Sequence, residues 1–390
     1  LAESADLSRP GLRVQIHNAI GAIPASEWNR LVRDNNPFLR HEFLYAMERH
    51  GCVDEAFGWL PRPVTLWEGD RLVAAMPLYE KHNSYGEFVF DQAWADAYRR
   101  AGLSYYPKLV AAVPYTPATG QRLLALPGQE SALWPVLLQT ALELAKTLRA
   151  SGVHWLFPAA EEQRFLHDQA LITRHDCQYH WPNRGYRDFD AFLSTLTAKK
   201  RKNIRQERRR VCDAGVHLRR LDGHSASAED WQTFTRFYNR TFEEKWGMAT
   251  FNLPFFQEVA AKLPGQVLLV LAELDGEDIA GALMYRSDSR LYGRHWGAMA
   301  EVNSLHFEAC YYQGIEYCIE QGISVFEPGA QGEHKLSRGF LPVCTQSSHW
   351  IADPRFQGPI ADFTDHERAA VADYIEQMSV RSPYKARVHG

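Results

Sequence analysis

The stretch FEPGAQGEHKLSRGF, Phe326 to Phe340, concentrates groups that move protons or meet negative charge. Glu333 or His334 can accept a proton from an amine nucleophile. Lys335 or Arg338 can hold a phosphate or stabilise charge that develops in a transition state. Gly329, Gly332 and Gly339 fit a loop beyond a strand end, a common seat of function, although a polar hairpin with ordinary surface charges has the same composition. Just upstream, YGRHWGAM reads as a strand with Tyr292, Arg294 and Trp296 on one side and Gly293, His295 and Gly297 on the other. His295 is then an acid–base or polar specificity group, or a satisfied structural histidine.

Positive charge gathers in KKRKNIRQERRR, Lys199 to Arg210, where eight of twelve residues are Lys or Arg. As an extension of a helix it places Lys199, Lys202 and Arg209 near one face and Arg201, Arg205 and Arg208 on another. Lys202 and Arg205 suit a phosphate-bearing partner, the guanidinium fork in particular; a solvated helix face is the plainer reading. The loop VPYTPATGQR, Val113 to Arg122, offers Thr116, Thr119 and Gly120 as hydroxyl and backbone N–H donors to an anion, or serves as a Pro-stiffened connector. Glu308, Tyr312, Glu316 and Glu320 fall four residues apart on one helix line, which points Tyr312 and a neighbour at a ligand or forms an exposed acidic face.

Other chemistries lack their residues. No GxSxG elbow, HExxH helix, GxGxxG fingerprint or P-loop occurs. His175, Cys177 and His180 in RHDCQYH fall short of a zinc signature, so neither a metal nor a tightly bound cofactor is expected. A net charge of −4 argues against a surface given over to DNA or another nucleic acid. Six scattered cysteines, a start without a signal-peptide pattern and the absence of a long apolar run imply a soluble cytoplasmic protein without a transmembrane segment.

The elements that must position these groups are written twice. VTLWEGDRLVAAMPLYEK and VLAELDGEDIAGALMYRSD are each a β-rich run, a Gly–acidic turn and a second β-rich run, which is hairpin chemistry. Each is followed by an amphipathic helix, with stripes at Leu137, Ala141, Leu144 and Leu148 and at Phe307, Tyr311, Ile315 and Cys318, and then by a strand. Gly152 and Gly322 are the expected C-caps. The first copy carries about 36 extra residues between Lys81 and Ser131. The pattern predicts an α/β protein of mixed sheets: one domain over residues 10–182, a second over 183–352, and an extension over 353–390 with one short helix, HERAAVADYIEQM, packing back on the body.

With these segments in view, the chain resembles the bacterial FemAB-like N-acyltransferases of peptidoglycan biosynthesis or recognition, and its duplication resembles the GNAT acyltransferase fold in tandem. YYPKLVAAVPYTPATGQRLL, HFEACYYQGIEYCIEQGI and FEPGAQGEHKLSRGFLP carry the likeness, which runs from about Pro37 to Trp350. The resemblance implies transfer of an acyl or aminoacyl group from acyl-CoA or aminoacyl-tRNA to an amine, on a cell-envelope precursor or a small amino compound. It also makes Lys202 and Arg205 contacts for phosphate. Where Fem enzymes show F-K-x-G-F, the lysine falls on Ser337, with Lys335 or Arg338 as substitutes. The alternative is a non-catalytic module of the same fold that binds a peptidoglycan precursor or RNA. Oligomeric state is not legible.

Overall fold

The computed structural model describes residues 11–244, 247–330 and 332–385. Residue 10, where the first domain is expected to begin, and the last five residues of the extension lie outside the described residues. The chain divides into two compact units. The first ends at Asp176 and resumes over Thr345–Ala372; the second covers Cys177–Cys344 and resumes at Asp373.

Fifteen strands are described. They are β1 (Leu12–Ile16), β2 (Trp59–Pro61), β3 (Val64–Glu68), β4 (Arg71–Met76), β5 (Leu78–Lys81), β6 (Lys108–Ala111), β7 (Leu124–Ala125), β8 (Gly152–Leu156), β9 (Ile172–Pro182), β10 (His217–Leu221), β11 (Val267–Leu274), β12 (Glu277–Arg286), β13 (Arg290–Ala298), β14 (Val325–Glu327) and β15 (Leu341–Ile351).

In the first unit β1, β3 and β4 pair antiparallel, and β4 resumes after Pro77 as β5, antiparallel to β6. The row then turns parallel from β6 to β8 and closes with β15 antiparallel to β8. The second unit repeats it. Strands β10 to β13 pair antiparallel in sequence order, β13 and β14 are parallel, and the end of β9 closes antiparallel to β14. Three antiparallel steps, one parallel and one antiparallel occur in both, which is the duplication the hairpins announce. Parallel neighbours need a crossover. Helix Glu130–Leu148 supplies it in the first unit, and the helical run Leu305–Gln321 in the second.

Local chemistry explains the hairpins. The two-residue turn between β11 and β12 puts both Asp275 and Gly276 at positive φ, the geometry that matches the twist of paired strands. The helix ends correct one expectation. Gly322, at φ 66°, does cap its helix, whereas Arg149 at φ 54° caps Glu130–Leu148. Gly152 instead opens β8, where an added Cβ would lie 2.5 Å from the Trp350 carbonyl oxygen of β15. The short C-terminal helix is also longer than its apolar pattern suggests and runs from Pro354 to Val380.

Both amphipathic stripes face cores. Leu137 and Ala141 are fully buried in the first unit; Tyr311, Ile315 and Cys318 are buried in the second with Met284, Leu291 and Phe326. Helices Ala228–Glu244 and Leu253–Lys262 bring Trp231, Phe234, Tyr238 and Phe256 into ring contact. Among the described residues no helix is long and apolar enough to cross a membrane.

Candidate active site

In the second unit β13 and β14 pair only from Arg290 to Tyr292 against Val325 to Glu327. Beyond that point β13 continues along β12, while the other chain turns away through Pro328 and Gly329, the latter at φ 98°. The strands therefore part as a wedge. A cavity of about 170 Å³ opens there, with Gly293, His295 and Trp296 on one wall, Gly329 on another, and Cys310 and Tyr311 of the crossover helix between them.

Two local irregularities shape this cavity. The β12–β13 register shifts, with Leu283 opposite His295 and Met284 opposite Gly293, so Arg294 is an extra residue and the simple alternation expected of YGRHWGAM breaks at it. The helix segment Glu308–Tyr312 is wound as a π turn, in which the Gln313 N–H reaches the Glu308 carbonyl. Such turns cluster at functional sites. Here the turn brings the consecutive residues Cys310 and Tyr311 to the cavity.

Three of the residues singled out in the sequence converge on this wedge. His295 lines it, and its ring packs edge-on against Tyr238, Phe251 and Phe256 at 5.1, 5.2 and 6.0 Å. Burial, with Arg294 nearby, holds its titration well below the ordinary histidine value, so the ring is neutral. The hydroxyl of Tyr311 lies 2.9 Å from Nε2 of His334. Lys335 is buried, and its Nζ donates to the carbonyl oxygen of Gly329 at 2.8 Å. Burial lowers its pKa to about 8. Burial pushes the Cys310 thiol far up, so it stays protonated.

Other sequence candidates are committed elsewhere. Glu333 turns outward and accepts from the Tyr374 hydroxyl at 3.0 Å. Arg338 is buried and clamps Glu207 through Nε and Nη2 at 3.2 and 2.7 Å, with its guanidinium 3.3 Å over the Phe307 ring. The Tyr312 hydroxyl donates to the same Glu207 carboxylate. Arg208 is neutralised by Glu308 and Glu316, which accounts for the acidic line on the crossover helix. Arg205 pairs with Asp190 at 2.8 Å on the rim of an open groove of about 680 Å³, and Lys202 is exposed on the basic helix Ala198–Asp213. Lys200 of that helix donates to Ser337 Oγ at 2.7 Å.

The matching wedge in the first unit is filled by its own chain. Gly120 forms a parallel bridge with Pro158, and its N–H donates to the Phe157 carbonyl at 3.1 Å. The N–H groups of Arg122 and Leu123 donate to the buried Glu162 carboxylate at 2.7 and 3.0 Å. The Arg122 guanidinium, 1% exposed, donates to the carbonyls of Leu156, Gln121 and Ala118. Thr116 Oγ1 donates to Pro114 O, and Thr119 lies half-buried beside it. Thr116 and Gly120 thus donate to backbone carbonyls rather than to an anion, and it is the N–H groups of Arg122 and Leu123, further along, that meet Glu162.

Sequence reasoning did not single out Tyr311, Cys310 or Trp296 as site residues. Tyr311 sits in the apolar stripe of its helix, where it looks like core; two tyrosines in succession, Tyr311 and Tyr312, were the available signal. Among the described residues no group of three or more His, Cys, Asp or Glu is placed to hold a metal.

Residues 19–386 match the FemAB-like family, described as peptidoglycan biosynthesis/recognition. The chain belongs to that family. Its fold is two units of mixed sheet with the same strand order, and in the second the wedge lies between two parallel strands. Among solved structures, the chain superposes on FemX with 12% identity and a TM-score of 0.53, over 90% of this chain and 100% of that one. It superposes on the C-terminal domain of a putative lysylphosphatidylglycerol synthetase from Agrobacterium fabrum with 9% identity and a TM-score of 0.50, over 89% and 96%. No curated protein matches the sequence significantly.

Proposed function

We propose that this FemAB-like protein is an N-acyltransferase that moves an acyl or aminoacyl group from acyl-CoA or aminoacyl-tRNA to an amine, with the wedge between β13 and β14 as the transfer site. The observation that carries the reading is the wedge itself: a cavity bounded by strand backbone and by Tyr311, whose phenol is tied to His334, with the buried Lys335 bonded to Gly329 of its wall. The loop that closes on Phe157 and Pro158 in the first unit favours the second unit as the seat of transfer.

The chemistry follows from these groups. An amine nitrogen attacks the donor carbonyl, a C–N bond forms, and the C–S or C–O bond to the donor breaks, the sulfur or oxygen leaving as a thiol or hydroxyl with a proton from solvent. Tyr311 accepts the amine proton as it passes its own to His334, which opens to solvent. The Lys335 ammonium faces the negative charge that builds on the carbonyl oxygen. His295 and Trp296 orient the acyl group. Burial keeps the Cys310 thiol protonated, which disfavours it as a nucleophile, and the scheme runs by direct transfer to the amine. Lys202 and Arg205 are the donor-phosphate contacts in this scheme.

The family description makes an amine of a peptidoglycan precursor the first acceptor to try. Purified protein is incubated with acyl-CoA and aminoacyl-tRNA panels and with peptidoglycan-precursor and small amines, and products are read by mass spectrometry. A new amide from either donor class supports the reading. Steeply salt-dependent RNA binding with no amide from any pair replaces it with the non-catalytic module.

A further inference from the structure

The turn that carries His334 and Lys335 has little internal support. Glu333–Arg338 is a six-residue 3-10 turn, whose hydrogen bonds have poor geometry at that length, and it sits between Gly332 at φ 117° and Gly339 at φ 98°. Its conformation has to be imposed from outside.

The residues after Asp373 supply that constraint at both ends. Tyr374 donates to Glu333 Oε1 at 3.0 Å and is itself 2.7 Å from the Tyr179 hydroxyl. Tyr384 donates to the Gly339 carbonyl at 2.7 Å, and its ring lies under the Arg184 guanidinium at 4.5 Å. Between the two tyrosines, Met378 is buried in the same core as Leu336 and Phe340. The tail is fixed in its turn: Thr197 N–H donates to Pro383 O and Lys385 N–H to Thr195 O, each at 2.9 Å, immediately before the basic helix.

We propose that Tyr374 and Tyr384 are positioning residues: they pin the two ends of the Glu333–Gly339 turn so that His334 meets Tyr311 and Lys335 meets Gly329. The role in transfer rests on the reading of this wedge as the transfer site. The positioning itself does not.

The test uses the full chain with Tyr374→Phe, Tyr384→Phe and the double variant, each of which keeps the ring and removes only the hydroxyl. Hydrogen exchange is followed by mass spectrometry, and the His334 imidazole by NMR titration. Losing two hydrogen bonds of ordinary worth should speed exchange of the peptide around residues 332–340 by about 10-fold in the double variant, with β11 to β13 unchanged. The His334 midpoint should rise toward the free-histidine value as the ring becomes better solvated and leaves Arg338 and Lys335. A role in packing alone would not move that midpoint. Unchanged exchange in the turn, acceleration spread evenly through the second unit, or a midpoint that stays in place overturns the proposal. Neither readout needs a substrate, so the outcome is separable from the acyl-transfer reading, which product mass decides.

Discussion

Tyr311 and His334, 23 residues apart in sequence, share one hydrogen bond of 2.9 Å between the phenol oxygen and Nε2. Burial raises the phenol well above its usual range, while burial, Arg338 and Lys335 lower the imidazole below 6.5. At neutral pH the pair is a protonated phenol beside a neutral ring. That is the protonation state needed to accept one further proton from an amine held in the cavity.

Removing the link should therefore slow chemistry more than binding. Tyr311→Phe and His334→Ala should each lower kcat by about 100-fold or more, the lower end of general acid–base contributions, with KM for the donor little changed. The double variant should cost no more than the worse single one, because the two act as one relay. Steady-state kinetics on the three variants checks this; additive losses would separate the residues.

The pH profile has a definite shape. A neutral His334 is required, so the rate rises with pH through a value below 6.5, since His334 is lowered. A charged Lys335 is required, so the rate falls as pH passes about 8. Lys335→Arg keeps the charge to much higher pH and should move the alkaline limb up by more than two pH units while leaving the acid limb in place. An alkaline limb that stays near 8 in Lys335→Arg would assign it to another group.

The duplication was legible because it is written in local chemistry, the Gly69 and Gly276 turns and the helical stripes, each read from a few neighbouring residues. The wedge was not. It depends on where β13 and β14 stop pairing, which is decided by Pro328–Gly329 and by an extra residue at Arg294, and neither alters the apolar pattern. The ion pairs of the charge run were hidden for a related reason: the partners of Arg208 are Glu308 and Glu316, about a hundred residues away. The loop at Thr116 to Gly120 spends its donors on the backbone, Thr116 on the Pro114 carbonyl and Gly120 on the Phe157 carbonyl, and the carboxylate nearby, Glu162, is met by the N–H groups of Arg122 and Leu123.

The plug makes its own prediction. Arg122→Ala would leave Glu162 buried with its guanidinium neighbour gone and three carbonyls without their donor. Removing one partner of a buried charged network typically costs about 3–5 kcal/mol. The first unit should lose that stability in urea denaturation while the Tyr311–His334 chemistry keeps its pH profile. Loss of less than about 1 kcal/mol would mean the segment is only loosely seated.

The first unit also holds a histidine pair whose titration can be isolated. His154 and His349 face each other across β8 and β15, with their Nδ1 atoms 2.8 Å apart, and His349 Nε2 is 2.8 Å from Ser347 Oγ. Burial lowers both, and nearby Lys108 adds to it, so both rings are neutral in the fold. In the unfolded chain they protonate near 6.5. Below that pH the unfolded state binds more protons, and each ring costs up to about 1.4 kcal/mol of stability per pH unit. Three glutamates act in the opposite sense: the half-buried Glu48 and the buried Glu87 and Glu162 are raised to about 7 by desolvation, so stability from them is lost as pH rises from 4.5 to 7. The total curve therefore mixes both, and the difference between wild type and His154→Asn is the informative quantity. That difference should be flat above pH 6.5 and should shift in favour of the variant as pH falls from 6.5 to 5. Urea titrations at four or five pH values measure it, and a difference independent of pH would show that His154 already takes up its proton in the folded protein.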